Sequence, residues 1–529
     1  MSGRPLLVLF ACGVVTIAAV RVNARPQSIA AGASVRQIGY LKGSNTEGSD
    51  HLGCGGSLPG HTGNAVAVSG DGTTIAVGAP HESSAARGIN GNQNDNSMYN
   101  AGAVYVFVLR NGAWTQQAYI KASNAGRNDM FGLTVALSRD GNTLVAAAPW
   151  ESSAAMGVNG RQDDDALPQA GAVYVFTRSG ETWSQQAYLK ASNTGRKGQG
   201  DDVEGDQFGY SIAVSADGNT IAAGAISEDS GAKGLNGPQQ DDAALSAGAV
   251  YVFTRAGSTW SQQAYVKSSN NEAGDLFGYG VALSENGSAM AVAAYDEDGS
   301  GRTVNPPDDN GSGGTGAIYA FERNGTTWRQ TVYLKGSRSQ RNDALGYTVA
   351  ISADGNTIAA GTGEEGCLNG GVNPSDCHLD AYPERGISGS AGAVYVWTKS
   401  SGMWKEEAFL KASNPDMEDW FGVRLSISDD GDVLFVGASM EDSAATGANG
   451  PQDDDSARDS GAAYLFTRNA GTWRQHAYVK AANAEAFDEF GVSVALSGDG
   501  RRLVVGARTE AGQANATPEA GAAYVFAIN

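Results

Sequence analysis

The stretch "GDQFGYSIAVSADGNTIAAGA", Gly205–Ala225, reads as two short apolar runs around an Asp-Gly turn. Asp-Gly between alternating apolar residues favours a hairpin, because the tight turn needs positive φ. The stretch returns as "NDMFGLTVALSRDGNTLVAAA" from Asn128 and "DEFGVSVALSGDGRRLVVGA" from Asp488. Phe-Gly opens it at Phe131, Phe208, Phe277, Phe421 and Phe490, and Thr62-Gly63 and Leu345-Gly346 hold the same place in two weaker copies. Seven copies stand about 70 residues apart, a spacing that marks a repeat architecture.

Two more pieces recur in each unit. "GAVYVF" begins at Gly102, Gly171 and Gly248, with variants at Gly316, Gly392, Gly461 and Gly521. A "W-x-Q-Q-A-Y-L-K-A-S-N" strand is anchored by Trp114, Trp183, Trp260, Trp328, Trp404 and Trp473. Each unit is therefore four antiparallel strands. Seven such units predict an all-β fold, a seven-bladed β-propeller. In "FGYSIAVS", Phe208, Tyr210, Ile212 and Val214 are expected on one face and Gly209, Ser211, Ala213 and Ser215 on the other. The Trp strand, with Gln185, Gln186 and Lys190, reads as a polar outer edge.

The seventh unit ends at Asn529 without a Trp strand, while "QIGYLKGSN", Gln37–Asn45, supplies one ahead of the first unit. The first strand, about residues 36–45, is expected to complete the last blade and close the ring. The domain reading is a signal peptide at 1–24 and a single propeller over 25–529. Arg4, the apolar run Pro5–Val20 and "VNA" at Val22–Ala24 carry the signal reading. That run is shorter than the roughly 20 residues of a membrane span. Export as a secreted or cell-surface monomer follows. Cys367 and Cys377 bracket a turn-rich stretch and are expected to form a disulfide in an oxidising compartment. Cys54 reads as a buried thiol.

Lys and Arg number 36 against 57 Asp and Glu, a net charge of −21. Such a surface repels nucleic acid and anionic lipid. The long segments all follow second strands and so reach one rim, a crown of loops, while the other rim carries short turns. The crown loops share acidic tracts: Asp163, Asp164 and Asp165; Asp241 and Asp242; Asp308 and Asp309; Asp453, Asp454 and Asp455. Clustered carboxylates suit Ca²⁺, and the alternative is Asx turns and solvated charge. No catalytic constellation is read. His51, His61, His81, His378 and His476 are scattered, and His81-Glu82 sits at the crown as a single pair.

These units resemble FG-GAP repeats, which build the propeller at the head of integrin α chains and occur in secreted bacterial proteins. "GAP" itself stands at Gly78-Ala79-Pro80, and the resemblance runs from about Arg36 to Asn529. It implies an extracellular binding or adhesion scaffold that meets a protein partner through the long-loop rim. The alternatives are a lectin-like propeller binding a glycan and a propeller enzyme acting on extracellular polysaccharide. Crown aromatics, which a lectin would stack on sugars, are few: Trp150, Tyr295, Tyr382 and Trp420. The integrin-type Asp-x-Asp-x-Asp-Gly calcium loop is replaced by short turns such as Ser215–Asn219, so those calcium sites are not carried over.

Overall fold

The computed structural model describes residues 34–55, 63–195, 205–375, 377, 390–512 and 517–529. The signal reading at 1–24, His61, His378 and Tyr382 lie outside them. The described residues form seven four-stranded antiparallel sheets and no helix, so no helix there is long and apolar enough to cross a membrane.

Blade 3 shows the plan. Its strands are Phe208–Val214, Thr220–Ala225, Ala249–Ala256 and Thr259–Val266, paired in that order from the axis outward. The other blades span Val66–Ile120, Thr134–Leu189, Phe277–Leu334, Leu345–Leu410 and Arg424–Val479 as blades 1, 2, 4, 5 and 6. Blade 7 holds Phe490–Leu496, Arg502–Ala507 and Ala522–Ile528, and its outer strand is Val35–Leu41. That N-terminal strand pairs antiparallel with Ala522–Ile528, Val35 opposite Ile528 and Leu41 opposite Ala523. The ring closes as expected.

The cores lie between blades. Val145 and Val173 of blade 2 pack with Phe208, Ile221 and Tyr251 of blade 3 in one buried cluster. Such sheet-on-sheet burial, repeated around the ring, is the main apolar term. Polar pins cross the same seams. Gln186 of blade 2 accepts hydrogen bonds from Trp260 Nε1 (2.9 Å) and the Arg255 guanidinium (3.0 Å) of blade 3, whose guanidinium also lies 5.2 Å from the Trp260 ring centre. Gln117 serves Trp183 and Arg178 in the same way.

Three details differ from the sequence reading. Strict alternation fails in the FG strand: Phe208 lies opposite Ala225 but Ile212 opposite Ala223, so a bulge intervenes. Gly209 there has φ +93°, a conformation that favours glycine. Tyr210 is thereby turned away from the Phe208–Ile212 core and joins an aromatic group near the axis. Second, the Phe-Gly position of blade 1 is Leu52-Gly53. Leu52 bridges Gly521 as Leu345 bridges Gly316, and Gly53 N donates to Gly78 O as Gly132 N does to Ala147 O. The inner strand then resumes at Val66, and Thr62, read with Gly63 as the start of this unit, lies outside the described residues. Third, Lys190 is not an edge residue; it is fully buried.

The partner of Lys190 is Glu151, at 2.8 Å and equally buried. Lys121–Glu82, Lys267–Glu228, Lys335–Glu297, Lys411–Glu365 and Lys480–Glu441 repeat the pair at 2.5–2.8 Å, all with buried side chains. In blade 7 it is Lys42–Glu510 at 2.9 Å, with Lys42 partly exposed. In each blade the loop after the second strand is thus bolted to the end of the outer strand.

An aspartate just before each inner strand makes a second sevenfold feature. Asp129 accepts from Gly126 N, Asp275 from Glu272 N and Asp419 from Asp416 N, and Asp50, Asp206, Asp343 and Asp488 do likewise. Burial pushes Asp50, Asp129, Asp275 and Asp488 up to about 7 and Asp419 up to about 8, against the backbone bond that lowers each. A carboxyl whose pKa is raised on folding contributes most below its unfolded pKa near 4, and the contribution is lost as pH rises through the folded value. Buried His81, lowered to about 4, acts oppositely, losing stability as pH falls from about 6.5. Of these two opposing effects, only the aspartate one operates above pH 6.5. The thermal midpoint should therefore fall from pH 6.5 to 8.5. Asp419→Asn, which keeps an acceptor for Asp416 N, should flatten that fall; an equally steep fall in calorimetry would refute the assignment.

Candidate functional site

The short-turn rim is built for closure. In blade 3, Ser215 Oγ donates to Asp217 (2.6 Å) and accepts from Thr220 N (2.9 Å). Burial alone would raise the Asp217 carboxyl, but hydrogen bonds from Ser215 and Asn219 hold it below the usual range. The seven turns are chained by backbone bonds, from Gly70 to Arg139, Ala216, Glu285, Ala353, Asp429 and Gly498 in turn, each N donating to the next O at 2.8–3.0 Å. Arg139 crosses this end of the axis to Glu285 (3.0 Å) and Asp429 (2.5 Å), on alternate blades. A Cβ on Gly70 would lie 2.4 Å from the Arg139 side chain, so that position stays open for the crossing.

The crown loops are long yet ordered by the chain itself. In blade 3, Leu235 bridges Val266, Asn236 N donates to Tyr265 O, and Asn236 Oδ1 accepts from Tyr265 N. Asn90, Asn159, Asn305, Asn373 and Asn449 make the same clasp in other blades. Glu82, read beside His81 as a crown pair, instead binds Lys121 and Tyr119 inside its loop. His81 packs tilted against His51, ring centres 4.6 Å apart and planes at 54°, at the seam between blades 7 and 1.

Between the two rims runs an axial cavity of about 300 Å³, lined by the inner strands of all seven blades. At its crown end Tyr210, Tyr279, Tyr295, Tyr347 and Trp420 gather, Tyr279 and Tyr295 stacking at 4.6 Å. Two of the scattered crown aromatics, Tyr295 and Trp420, are thus brought together. Trp150 stands apart from them.

Residues 114–176, 404–466 and 473–526 match the FG-GAP repeat family. Each match starts in an outer strand and ends in the third strand of the following blade, so the sequence unit straddles a seam. The chain is an FG-GAP-type propeller. No curated protein matches this FG-GAP chain. Among solved structures, the periplasmic gluconolactonase of Pseudomonas aeruginosa is 14% identical, covers 86% of this chain and 97% of its own, and superposes with a TM-score of 0.45. A Bacteroides uniformis protein assigned as a 6-phosphogluconolactonase is 11% identical, covers 79% of this chain and 85% of its own, with a TM-score of 0.43.

On the FG-GAP framework, the acidic tracts stand on separate blades and are not brought together. Asp164 caps Ala154 N and Ala166 N, Asp241 caps Gly231 N and Ala243 N, and Asp454 caps Ser456 N. Asp309 accepts from Ser300 N and Gly311 N, and Asp163 pairs with Arg161. Asp165, Asp242, Asp308, Asp453 and Asp455 are exposed beside them. Cys367 and Cys377 form the expected disulfide, and Cys54 is a buried thiol. The signal that sequence reading missed is apolar: of eight large hydrophobic side chains exposed among the described residues, six (Tyr99, Met156, Leu245, Leu368, Met417 and Phe487) lie on crown connections.

Proposed function

We propose that this FG-GAP propeller is an exported binding scaffold that engages a protein partner through its crown rim. The observation that carries the reading is the gathering of exposed large apolar side chains on that rim, where isolated ones would be scattered over both. Tyr99 and Phe487 each lie under an arginine, Arg127 and Arg458, at 5.5 and 6.0 Å. Aromatic and Arg side chains are the residue types that dominate protein interfaces. The loops that present them are fixed by the Asn clasps and buried ion pairs, which limits the ordering cost of binding. The disulfide and the N-terminal signal pattern support an oxidising, extracellular setting.

Tyr99→Ser combined with Phe487→Ser should weaken capture of the partner from the native extracellular fraction about tenfold or more, as loss of interface anchors does. Met403→Ser, an exposed apolar residue on the opposite rim, should leave capture unchanged. Undiminished capture by the double variant, or loss through Met403→Ser, would place the binding face elsewhere.

A further inference from the structure

The crown loop of blade 5 departs from the others where they tie themselves shut. In blade 3, Ser230 Oγ donates to Pro238 O (2.8 Å) and accepts from Ala232 N (3.1 Å), which fastens the start of the loop to its middle. Ser84, Ser153 and Ser443 do the same in blades 1, 2 and 6, each reaching the carbonyl eight residues on. In blade 5 that place is Cys367. Its Sγ still accepts from Asn369 N (3.4 Å), as the serine oxygens accept from their loops, but its bond across the loop is the disulfide to Cys377.

The loop glutamate of blade 5 has also lost two donors. Glu228 of blade 3 accepts from Tyr265 OH and from Asn193 of the preceding blade. The glutamates of blades 1, 2, 4, 6 and 7 accept from an equivalent tyrosine and asparagine. At Glu365 the tyrosine is replaced by Phe409 and the asparagine by Arg338. The Arg338 guanidinium lies over the Phe409 ring at 4.6 Å and donates to Pro374 O (2.8 Å). Among the described residues it makes no bond to Glu365, which keeps Lys411 at 2.6 Å. The Asn373 clasp on Phe409 N is retained at 2.8 Å.

The loop that lacks these hydrogen bonds is thus the one that carries a covalent bridge. We infer that the blade 5 crown loop is a redox-dependent clasp, closed by its disulfide where the other loops close by hydrogen bonds alone. Closing it joins two thiols by exchange with a disulfide donor, which takes up their two electrons and two protons and leaves as a dithiol. The bridge removes chain entropy that the missing hydrogen bonds would otherwise offset. In a reducing compartment the ring forms with this loop open. In an oxidising one the loop sets.

The test is hydrogen exchange on the intact protein at Gly371 and Asn373, whose amides donate to Ala412 O and Phe409 O. Gly234 and Asn236, bonded to Ser268 O and Tyr265 O, are their equivalents in blade 3. Dithiothreitol, itself oxidised to a cyclic disulfide, should speed exchange at 371 and 373 about tenfold or more and leave 234 and 236 unchanged, as opening of one local unit does. Cys367→Ala/Cys377→Ala should exchange like the reduced protein. Combining Cys367→Ser, Cys377→Ala, Arg338→Asn and Phe409→Tyr rebuilds the blade 3 arrangement and should restore protection with no disulfide. Equal exchange in oxidised and reduced protein overturns the proposal, as does equal acceleration in both blades or a rebuilt loop as open as the alanine variant. If the rebuilt variant fails to fold, Ser230→Ala/Tyr265→Phe removes the corresponding donors from blade 3; unchanged exchange there at 234 and 236 overturns it too.

Discussion

Replacing Glu228 by Gln should destabilise the protein by about 3–5 kcal/mol, the range found when one partner of a buried ion pair is removed. Every acceptor position of this carboxylate is used: Lys267 Nζ at 2.7 Å, Tyr265 OH at 2.8 Å, Asn193 Nδ2 at 3.0 Å and Ser230 N at 3.3 Å. Asn193 comes from the end of blade 2, so the carboxylate ties a loop, an outer strand and the neighbouring blade together. Glutamine keeps one acceptor oxygen but leaves the Lys267 ammonium buried without a counter-charge. Burial already lowers the Lys267 pKa, with Glu228 pulling it back up. The double variant Glu228→Gln/Lys267→Met removes that charge and should recover most of the loss. Denaturant titration of both variants decides it: a double variant no more stable than the single one would show that charge pairing is not what holds the loop.

Deleting residues 34–45 should lower the thermal midpoint by on the order of 10 °C and promote aggregation. The deletion removes the whole Val35–Leu41 pairing with blade 7, together with Lys42, the partner of Glu510. It also exposes Ala522–Ile528 as an open edge beside blade 1. Added as a peptide, residues 34–45 should restore part of the lost midpoint, because strand addition to an exposed edge regains the ladder bonds. A deletion variant that melts like the intact chain would mean that the ring does not depend on its closing strand.

The blades and their closure were legible because hairpin turns and strand alternation act locally and recur. What escaped reading was set between distant residues. Lys190 directly follows the strand of Gln185 and Gln186 and reads as solvated; its partner, Glu151, is 39 positions away. The bulge at Gly209 breaks a period that sequence alone shows as unbroken. In blade 1, Thr62-Gly63 reads as the Phe-Gly position, and Leu52-Gly53 goes unread, because the residues between them hide the true spacing. The aspartate tracts were legible as loop features. That Asp164, Asp241 and Asp454 cap backbone N–H groups follows from where each loop folds back, which composition does not specify. The exposed apolar residues of the crown share no motif, so only the structure gathers them.

Closure by the first strand bears on how the chain is made. Val35–Leu41 is synthesised before any blade, yet its partner Ala522–Ile528 comes last. At about 5–20 residues per second, the interval between them is roughly 25–100 seconds. Through that time the strand can pack on blade 1, where Ile38 and Leu41 meet Val66, Ile75 and Tyr119, but it lacks its ladder partner, while six blades able to bind a stray edge assemble beside it. Its own residues discourage an early match: Arg36 and Gln37 break its apolar run, and Ile38 stands where Gln117 and Gln186 pin other seams. Trp114, the matching tryptophan of blade 1, correspondingly has no partner for its indole nitrogen. The last joint of the ring thus does without the Gln–Trp pin of the blade 1–2 and 2–3 seams, and it is made by a strand that must wait.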